Sequence, residues 1–451
     1  MNHHPSIRIA GIAAWLILGA PGGSGRARAA ADAPDEASTA AQAGIDADND
    51  SVGYTPAEAN PAATALHLNG YVDVGFAKAQ GDGTSFATGD QRLPADYGVD
   101  PFATAINSRG DVAATDAGGR FVNGFLPRSV GIGGRPSFLL NTLSLDARYQ
   151  HPNAPVMIFS RVQFLPRFSA AGDGSRVLVE QAFGSVMPFE ALELAVSAGK
   201  FDSVFGIEYQ DNQANIRTGV TPSLAARYTT GQSIGAKVFY RQQIPPLWSA
   251  LSLHVAATNS GNMQESLQSP DASLAGAPVL SARLGYELNL KLVQLKLGGS
   301  GLRGPRNDQR DRKALQKMWG LDARVFIGGI ALAAEYVRVD EDEGLGPKTT
   351  SLGVFPEASG FLARVAWVQL AYGWSVECGA LRRVTPYVRY DWRHAAFQGC
   401  TPLTVDRLTT GVRIDLWEAL IVKGEWLVNR ERVGAPDVAN NIYTSSVVYQ
   451  W

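Results

Sequence analysis

Beyond its first twenty residues this sequence has no run of about 18 apolar residues, which excludes a transmembrane helix. Charge is scarce too. Only 18% of the 451 residues are charged, below the roughly 25% of typical soluble domains. The net charge of -2 offers nothing to a phosphate backbone, so no nucleic-acid partner is expected. There is no Gly-x-Ser-x-Gly elbow, no His-Glu-x-x-His pair and no phosphate-binding glycine loop. His254 stands at mid-strand without a Ser, Asp or metal-ligand companion, the pattern of a lumen polar residue and not of a catalyst. Asp46, Asp48 and Asp50 imitate the start of a calcium loop, but Ser51 and Ala57 occupy the positions that need Gly and Glu. No catalytic residue, cofactor or metal is therefore expected.

What is present is alternation. Leu143, Leu145, Ala147 and Tyr149 alternate with Thr142, Ser144, Asp146 and Arg148. Leu408, Thr410, Val412, Ile414 and Leu416 alternate with Arg407, Thr409, Gly411, Arg413 and Asp415. Period two places successive residues on opposite faces of a strand. About sixteen such segments of roughly ten residues, joined by alternately short and long links, fit a transmembrane antiparallel β-barrel (roughly 14–18 strands) better than a soluble sheet. The final segment, with Tyr443, Val447, Tyr449 and Trp451 on one face, is expected to close that barrel and to be read by the barrel-assembly machinery.

Placing Trp451 at the periplasmic rim orients every other link. Turns near 417–419, 328–329, 289–290, 244–249, 188–190 and 152–155 become periplasmic. The links 394–403, 340–359, 302–317, 259–277, 168–175 and 80–136 become external. Trp248, Trp374 and Trp417 then fall at periplasmic ends and Trp319 and Trp392 at external ends, where amphipathic rings belong. This scheme puts Cys378 in a periplasmic turn and Cys400 in an external loop. They lie about 30 Å apart, too far for a disulfide, which needs Cα atoms within about 7 Å.

The two directions of counting agree only if residues 222–230 are not a membrane strand. The segment opens on Pro222 and is short, so it is assigned to a loop, with at most a short β segment of its own. A link of roughly thirty residues, 202–232, then follows the fifth strand, and a link that long is expected to fold into the lumen. Upstream of the barrel, residues 1–31 read as a secretory signal: Arg8, the apolar stretch from Ile9 to Ala20, then small residues through Ala31. Residues 32–65 read as a disordered periplasmic linker, leaving 66–451 as the barrel.

A barrel of this width leaves an aqueous channel. The inward phase carries Lys78, Arg148, Arg161, Lys237, Arg241, Arg283, Lys296, Arg324, Arg364, Arg389, Arg393, Arg407, Arg413 and Lys423. It also carries Asp73, Asp146, Glu180, Glu193, Glu287, Asp322, Glu335, Asp391, Asp415 and Glu425. Asp202, Glu208 and Asp211 on the inward link, with Arg217, are expected to form a constriction against the basic wall (Arg148, Arg161, Lys237, Arg283, Lys296, Arg324, Arg389, Arg413). A transverse field across a narrow passage would result. The alternative stays open that these charges pair and merely hold the loop.

Gly70-Tyr71-Val72-Asp73, Gly199-Lys200-Phe201, Gly206-Ile207-Glu208, Tyr387-Val388-Arg389-Tyr390-Asp391 and the aromatic terminus together resemble the OmpL-like β-barrel porin family, over about residues 66–451. Residues 80–136 have no counterpart in it. The resemblance implies an outer-membrane location in a Gram-negative bacterium and passive diffusion of small hydrophilic solutes or ions, a weak anion preference being compatible with the modest basic excess. Outer-membrane lipids and lipopolysaccharide would surround such a barrel, and a homo-oligomer is left open. The competing reading is a plugged barrel acting as a surface adhesin or an outer-membrane enzyme. An adhesin should be narrow, about eight to ten strands, and an enzyme should gather acid, base and nucleophile at one rim.

Overall fold

The computed structural model describes residues 66–79, 112–115, 121–126, 137–151, 154–164, 177–189, 192–259, 277–305, 315–342, 348–350, 353–355, 361–397, 403–433 and 441–451. The expected signal and linker segments, the links between these ranges and Cys400 lie outside the described residues.

Sixteen antiparallel crossings close on themselves. They are β1 (Leu66–Ala79), β2 (Ser137–Gln150), β3 (Val156–Phe164), β4 (Val177–Val186), β5 (Glu193–Asp202), β6 (Gln232–Ile244), β7 (Ser249–Thr258) and β8 (Val279–Asn289). They continue as β9 (Val293–Pro305), β10 (Leu315–Ile327), β11 (Ile330–Glu341), β12 (Phe361–Tyr372), β13 (Leu381–Phe397), β14 (Leu403–Leu416), β15 (Leu420–Val433) and β16 (Ile442–Gln450). A further segment, Trp374–Cys378, prolongs β12 past Gly373 and pairs with the same partner, β13, so it belongs to the same crossing. Each strand pairs with its sequence neighbours, and β16 pairs with β1 from Tyr71↔Gln450 to Ala79↔Ile442. Gly70 and Trp451 exchange both backbone hydrogen bonds at the seam, 3.2 and 3.1 Å. Closure leaves no unpaired strand edge, the condition for placing strands in lipid.

Burial alternates along the strands. Tyr71 and Asp73 are buried while Val74 is exposed, and Ser281 and Arg283 are buried between exposed Leu280 and Leu284. The exposed face carries Leu253, Val255, Leu321, Val368 and Leu370, an apolar belt that matches a hydrocarbon slab and not water. Links at one rim are tight. Trp248 and Trp417 both take positive φ, 50°, in their turns and remain largely exposed, anchoring that rim at an interface. Long links leave the other rim, and two small hairpins (Val112–Thr115 with Phe121–Leu126, Lys348–Thr350 with Gly353–Phe355) form within them. Short turns mark the periplasmic side of such barrels and long loops the external side.

Two inward assignments need correction. Asp73 and Tyr71 set the inward phase of β1, so Lys78, an odd number of residues away and exposed, faces outward. In β12 the buried residues are Ala363, Val365, Trp367 and Ala371, all on one phase, which turns Arg364 outward.

Candidate functional site

Between β5 and β6 the chain enters the barrel. Residues 203–231 are buried over most of their length, and they form a one-turn 3-10 helix, Glu208–Asp211, and a one-turn α-helix, α1, Ala226–Thr229. The stretch 222–230 is thus not a barrel strand but part of the loop, and its core is a helical turn in place of the short β segment that the loop was allowed. Tyr228 N–H donates to the Ala225 carbonyl at 2.8 Å, and the Ser223 hydroxyl accepts from Ala225 N–H at 2.9 Å. Gly206 takes φ +77°, a left-handed conformation open to Gly at no steric cost.

The segment is fastened by wall carboxylates that accept from its backbone. Glu425 on β15 accepts from Val220 N–H (2.8 Å), Thr221 N–H (2.9 Å) and the Thr221 hydroxyl (2.8 Å), and also from the Tyr387 hydroxyl. Glu335 on β11 accepts from Ile207 N–H at 2.8 Å and from Trp367 Nε1 at 3.0 Å. Asp391 on β13 accepts from Leu224 N–H at 3.0 Å. Cations do the reverse for the carbonyls. Arg389 donates to Thr221 and Pro222 oxygens, both 2.9 Å, Arg413 donates to Ile216 O at 2.9 Å, and Lys423 to those of Ala214, Arg217 and Gly219. Charge-assisted bonds in a water-poor site are the strong ones.

A second attachment is apolar. Phe205, Ile207, Leu224, Ala225 and Tyr228 join Val279, Leu302, Met318, Val337, Val339, Ala363, Val365, Trp367 and Val405 in one buried cluster. Fully burying one such large side chain contributes about 1.5–3 kcal/mol. The inner wall of β8–β14 is therefore apolar toward its external half because the segment covers it.

These contacts decide what the four expected constriction charges can do. Glu208 is turned into the segment, where its carboxylate meets the Ser223 N–H and hydroxyl. Burial pushes its carboxyl above the ordinary range, against the opposing pull of Arg389 and the Ser223 donors. Arg217 is buried against the segment's own carbonyls at Gly219, Asn212 and Val220, and that burial draws its guanidinium below its ordinary value. Asp202 bonds Gln181 and Gln232. Asp211 differs: its side chain is 39% exposed and pairs with Arg324 at 2.6 Å.

The expected wall cations divide in the same way. Arg389 and Arg413 grip the segment. Arg161 is spent on Asp146 at 2.7 Å, with Glu180 3.9 Å away. Lys237 lies over the Phe183 and Phe201 rings, 5.5 and 5.2 Å from their centroids. Arg148 lines a small recess with Met157 and Ser185 near the short-turn rim. Arg283, Lys296 and Arg324 border a larger recess of about 610 Å³, counting its open mouth, together with Arg241, His254, Glu287, Asp322, Ile207 and Gln210. It lies against β6–β10. Arg241 and Lys296 share Glu287 at 2.7 and 3.6 Å, and Arg283 forks onto Asp322.

Sequence reading placed Glu335, Asp391, Lys423 and Glu425 on the inner face but did not single them out as the clamp. Their signal was faint, a charge at inward phase. Trp367 and Tyr387 carried less still, because an aromatic residue in a barrel strand reads first as lipid-facing. Cys378 is a free, exposed thiol at the short-turn rim.

No family model and no curated protein matches this chain. Among solved structures, the outer-membrane channel DcaP of Acinetobacter baumannii superposes with a TM-score of 0.52 at 11% identity, over 86% of this chain and 97% of that one. An anion-selective porin from Comamonas acidovorans gives 0.47 at 9% identity, over 86% of this chain and 99% of that one. A Vibrio cholerae OmpT variant lacking loop L8 gives 0.46 at 11% identity, over the same shares of the two chains. The match to DcaP shows that the chain has the fold of an outer-membrane barrel.

Proposed function

We propose that this protein is an outer-membrane porin that passes small hydrophilic solutes by diffusion, narrowed by the inward segment to a passage along β6–β10. The observation that carries the reading is the pairing of a closed sixteen-strand barrel with a charged recess left open beside the segment. Sixteen strands enclose more space than side chains fill. An apolar outer belt places the barrel in lipid, and the DcaP channel has the same fold. Arg241, Arg283, Lys296 and Arg324 face Glu287, Asp322 and Asp211 across the recess, a one-charge basic excess that supports a weak anion preference.

The plugged-barrel reading has one observation in its favour, the depth to which residues 203–231 are buried. Liposome swelling with sugars of graded size separates the two: small sugars enter if the recess is a conduit, and no uptake at any size removes the porin reading. Reversal potentials sharpen the test. Asp211→Asn removes the exposed acidic charge of the passage and shifts selectivity further toward anions, whereas an unchanged reversal potential places the conduit elsewhere.

A further inference from the structure

On the outer face, at the external ends of β9–β12, like charges stand directly opposite each other. Arg303 pairs across strands with Lys317, and Arg338 pairs with Arg364. All four are on the outward phase of their strands: Lys317 and Arg364 are exposed, while Met318, Val337, Val339, Ala363 and Val365 beside them face in and are buried. Directly opposed like charges destabilise a sheet, and desolvated cations at a lipid boundary are costly. Two acidic neighbours answer part of this. Asp340 binds Arg338 at 2.8 Å and Asp342 binds Lys317 at 3.2 Å. Arg303 and Arg364 form no ion pair with a described residue, so among the described residues four cations meet two carboxylates.

The depth of the cluster is set by its aromatic neighbours. Trp319 lies 5.2 Å from Tyr336, and Trp392 stacks on His394 at 6.3 Å, His394 being the cross-strand partner of Arg364. Tryptophan and tyrosine collect at the headgroup level of a bilayer. Immediately below, Leu321, Val368 and Leu370 continue the apolar belt. The cluster therefore sits where acyl chains give way to headgroups on the external side.

We infer that Arg303, Lys317, Arg338 and Arg364 form a docking site for a lipid headgroup bearing two phosphates, with its acyl chains on the belt beneath. Guanidinium groups suit phosphate oxygens in paired geometry, and a bridging dianion turns each like-charge pair from a repulsion into a shared contact. A free phosphate satisfies the charge but not the belt, so the occupant is the lipid. The site is separate from conduction and requires only the folded barrel.

The test uses the detergent-solubilised full-length barrel and native mass spectrometry with bisphosphorylated lipid A as the probe. At about 1 kcal/mol per basic residue near a charged surface, the Arg338→Gln/Arg364→Gln pair weakens binding about 30-fold. Arg338→Lys/Arg364→Lys retains most of it. Lys78→Gln/Lys200→Gln, elsewhere on the outer face, leaves it unchanged. Fully dephosphorylated lipid binds far more weakly, and inorganic phosphate at millimolar concentration does not compete. Equal binding by the Gln pair and the native protein, or equal binding of phosphorylated and dephosphorylated lipid, overturns the site. Competition by inorganic phosphate overturns the lipid as its occupant. Retained heat-modifiable migration and unchanged channel conductance in the Gln pair show that the barrel has folded, so a loss of lipid binding is distinguishable from failure of the porin reading.

Discussion

Replacing Glu425 by Gln tests whether the inward segment is held by the wall or merely rests on it. The carboxylate is 1% exposed and takes four donors: two backbone amides at 2.8 and 2.9 Å, the Thr221 hydroxyl at 2.8 Å, and the Tyr387 hydroxyl. Hydrogen bonds to a charged group contribute about 1.5–3 kcal/mol each. A glutamine keeps one acceptor oxygen, so Val220 N–H and the Tyr387 hydroxyl, both on Oε1, can be retained. Its amide nitrogen then faces the Thr221 N–H, donor against donor, and the Thr221 hydroxyl loses its acceptor and must turn. Lys423 and Arg389 also lose a nearby counter-charge. Removing one partner from such a buried charged site costs about 3–5 kcal/mol. At 1.4 kcal/mol per factor of ten, the released population of this stretch rises on the order of 10²- to several 10³-fold. Hydrogen exchange of the Val220 and Thr221 amides reads it directly: both accelerate by about 100-fold or more while amides of β3–β7 keep their rates. Single-channel recordings show a noisier, larger conductance as the stretch leaves the wall. Thr221 amide exchange unchanged within about threefold would refute the clamp, because Glu425 Oε2 is the acceptor that this N–H loses on substitution.

Gly206→Ala strains a left-handed backbone and drives a methyl onto Glu335 Oε1 and the Thr229 methyl. We expect a loss of about 2–4 kcal/mol in seating of the segment, seen as proteolysis between 205 and 212. Phe205→Ala removes a fully buried ring of the apolar cluster and costs about 3–5 kcal/mol; a denaturation midpoint for the segment equal to that of the native protein contradicts the second attachment. Glu208 predicts a pH effect of defined sign. Its carboxyl is raised by burial, in the company of Arg389, Asp391 and Glu335, so the seated state holds the proton more tightly than a released segment does. Its contribution to seating is complete below the ordinary glutamate value of about 4.3 and is lost as pH rises through the raised value. Glu208→Gln abolishes that part of the pH dependence of Ser223 amide exchange, and an unaltered profile excludes Glu208 as its source.

The barrel was legible because lipid imposes one rule on every strand: apolar outward, with short returns at one rim. Removing residues 222–230 from the strand count also needed only the alternation of up and down crossings. That their centre is the helical turn at Ala226 was not legible, since Leu224, Ala225 and Tyr228 owe their burial to a wall far away in sequence. The division of labour among the charges was hidden for a similar reason. An inward Arg reads the same whether it faces water, as Arg241 partly does, or a carbonyl of the segment, as Arg389 does.

The misplacement of Arg364 shows where the lipid rule fails. Phe361–Tyr372 reads apolar on both phases, and the one charge was assigned inward because lumens are polar. Here the lumen wall is covered by the segment, so Ala363, Val365 and Trp367 face a protein core and the Arg goes to the outer face. The apolar character of β12 on both faces is then a consequence of the inward segment itself. A wall that has given up its polar lining to the segment cannot be left bare without exposing Val337, Val365 and Trp367 to water. Displacing the segment as a whole must therefore overcome the apolar cluster as well as the carboxylate clamp. Solute passage that needs only the recess along β6–β10 requires no such displacement, and the segment acts as a fixed partition of the lumen.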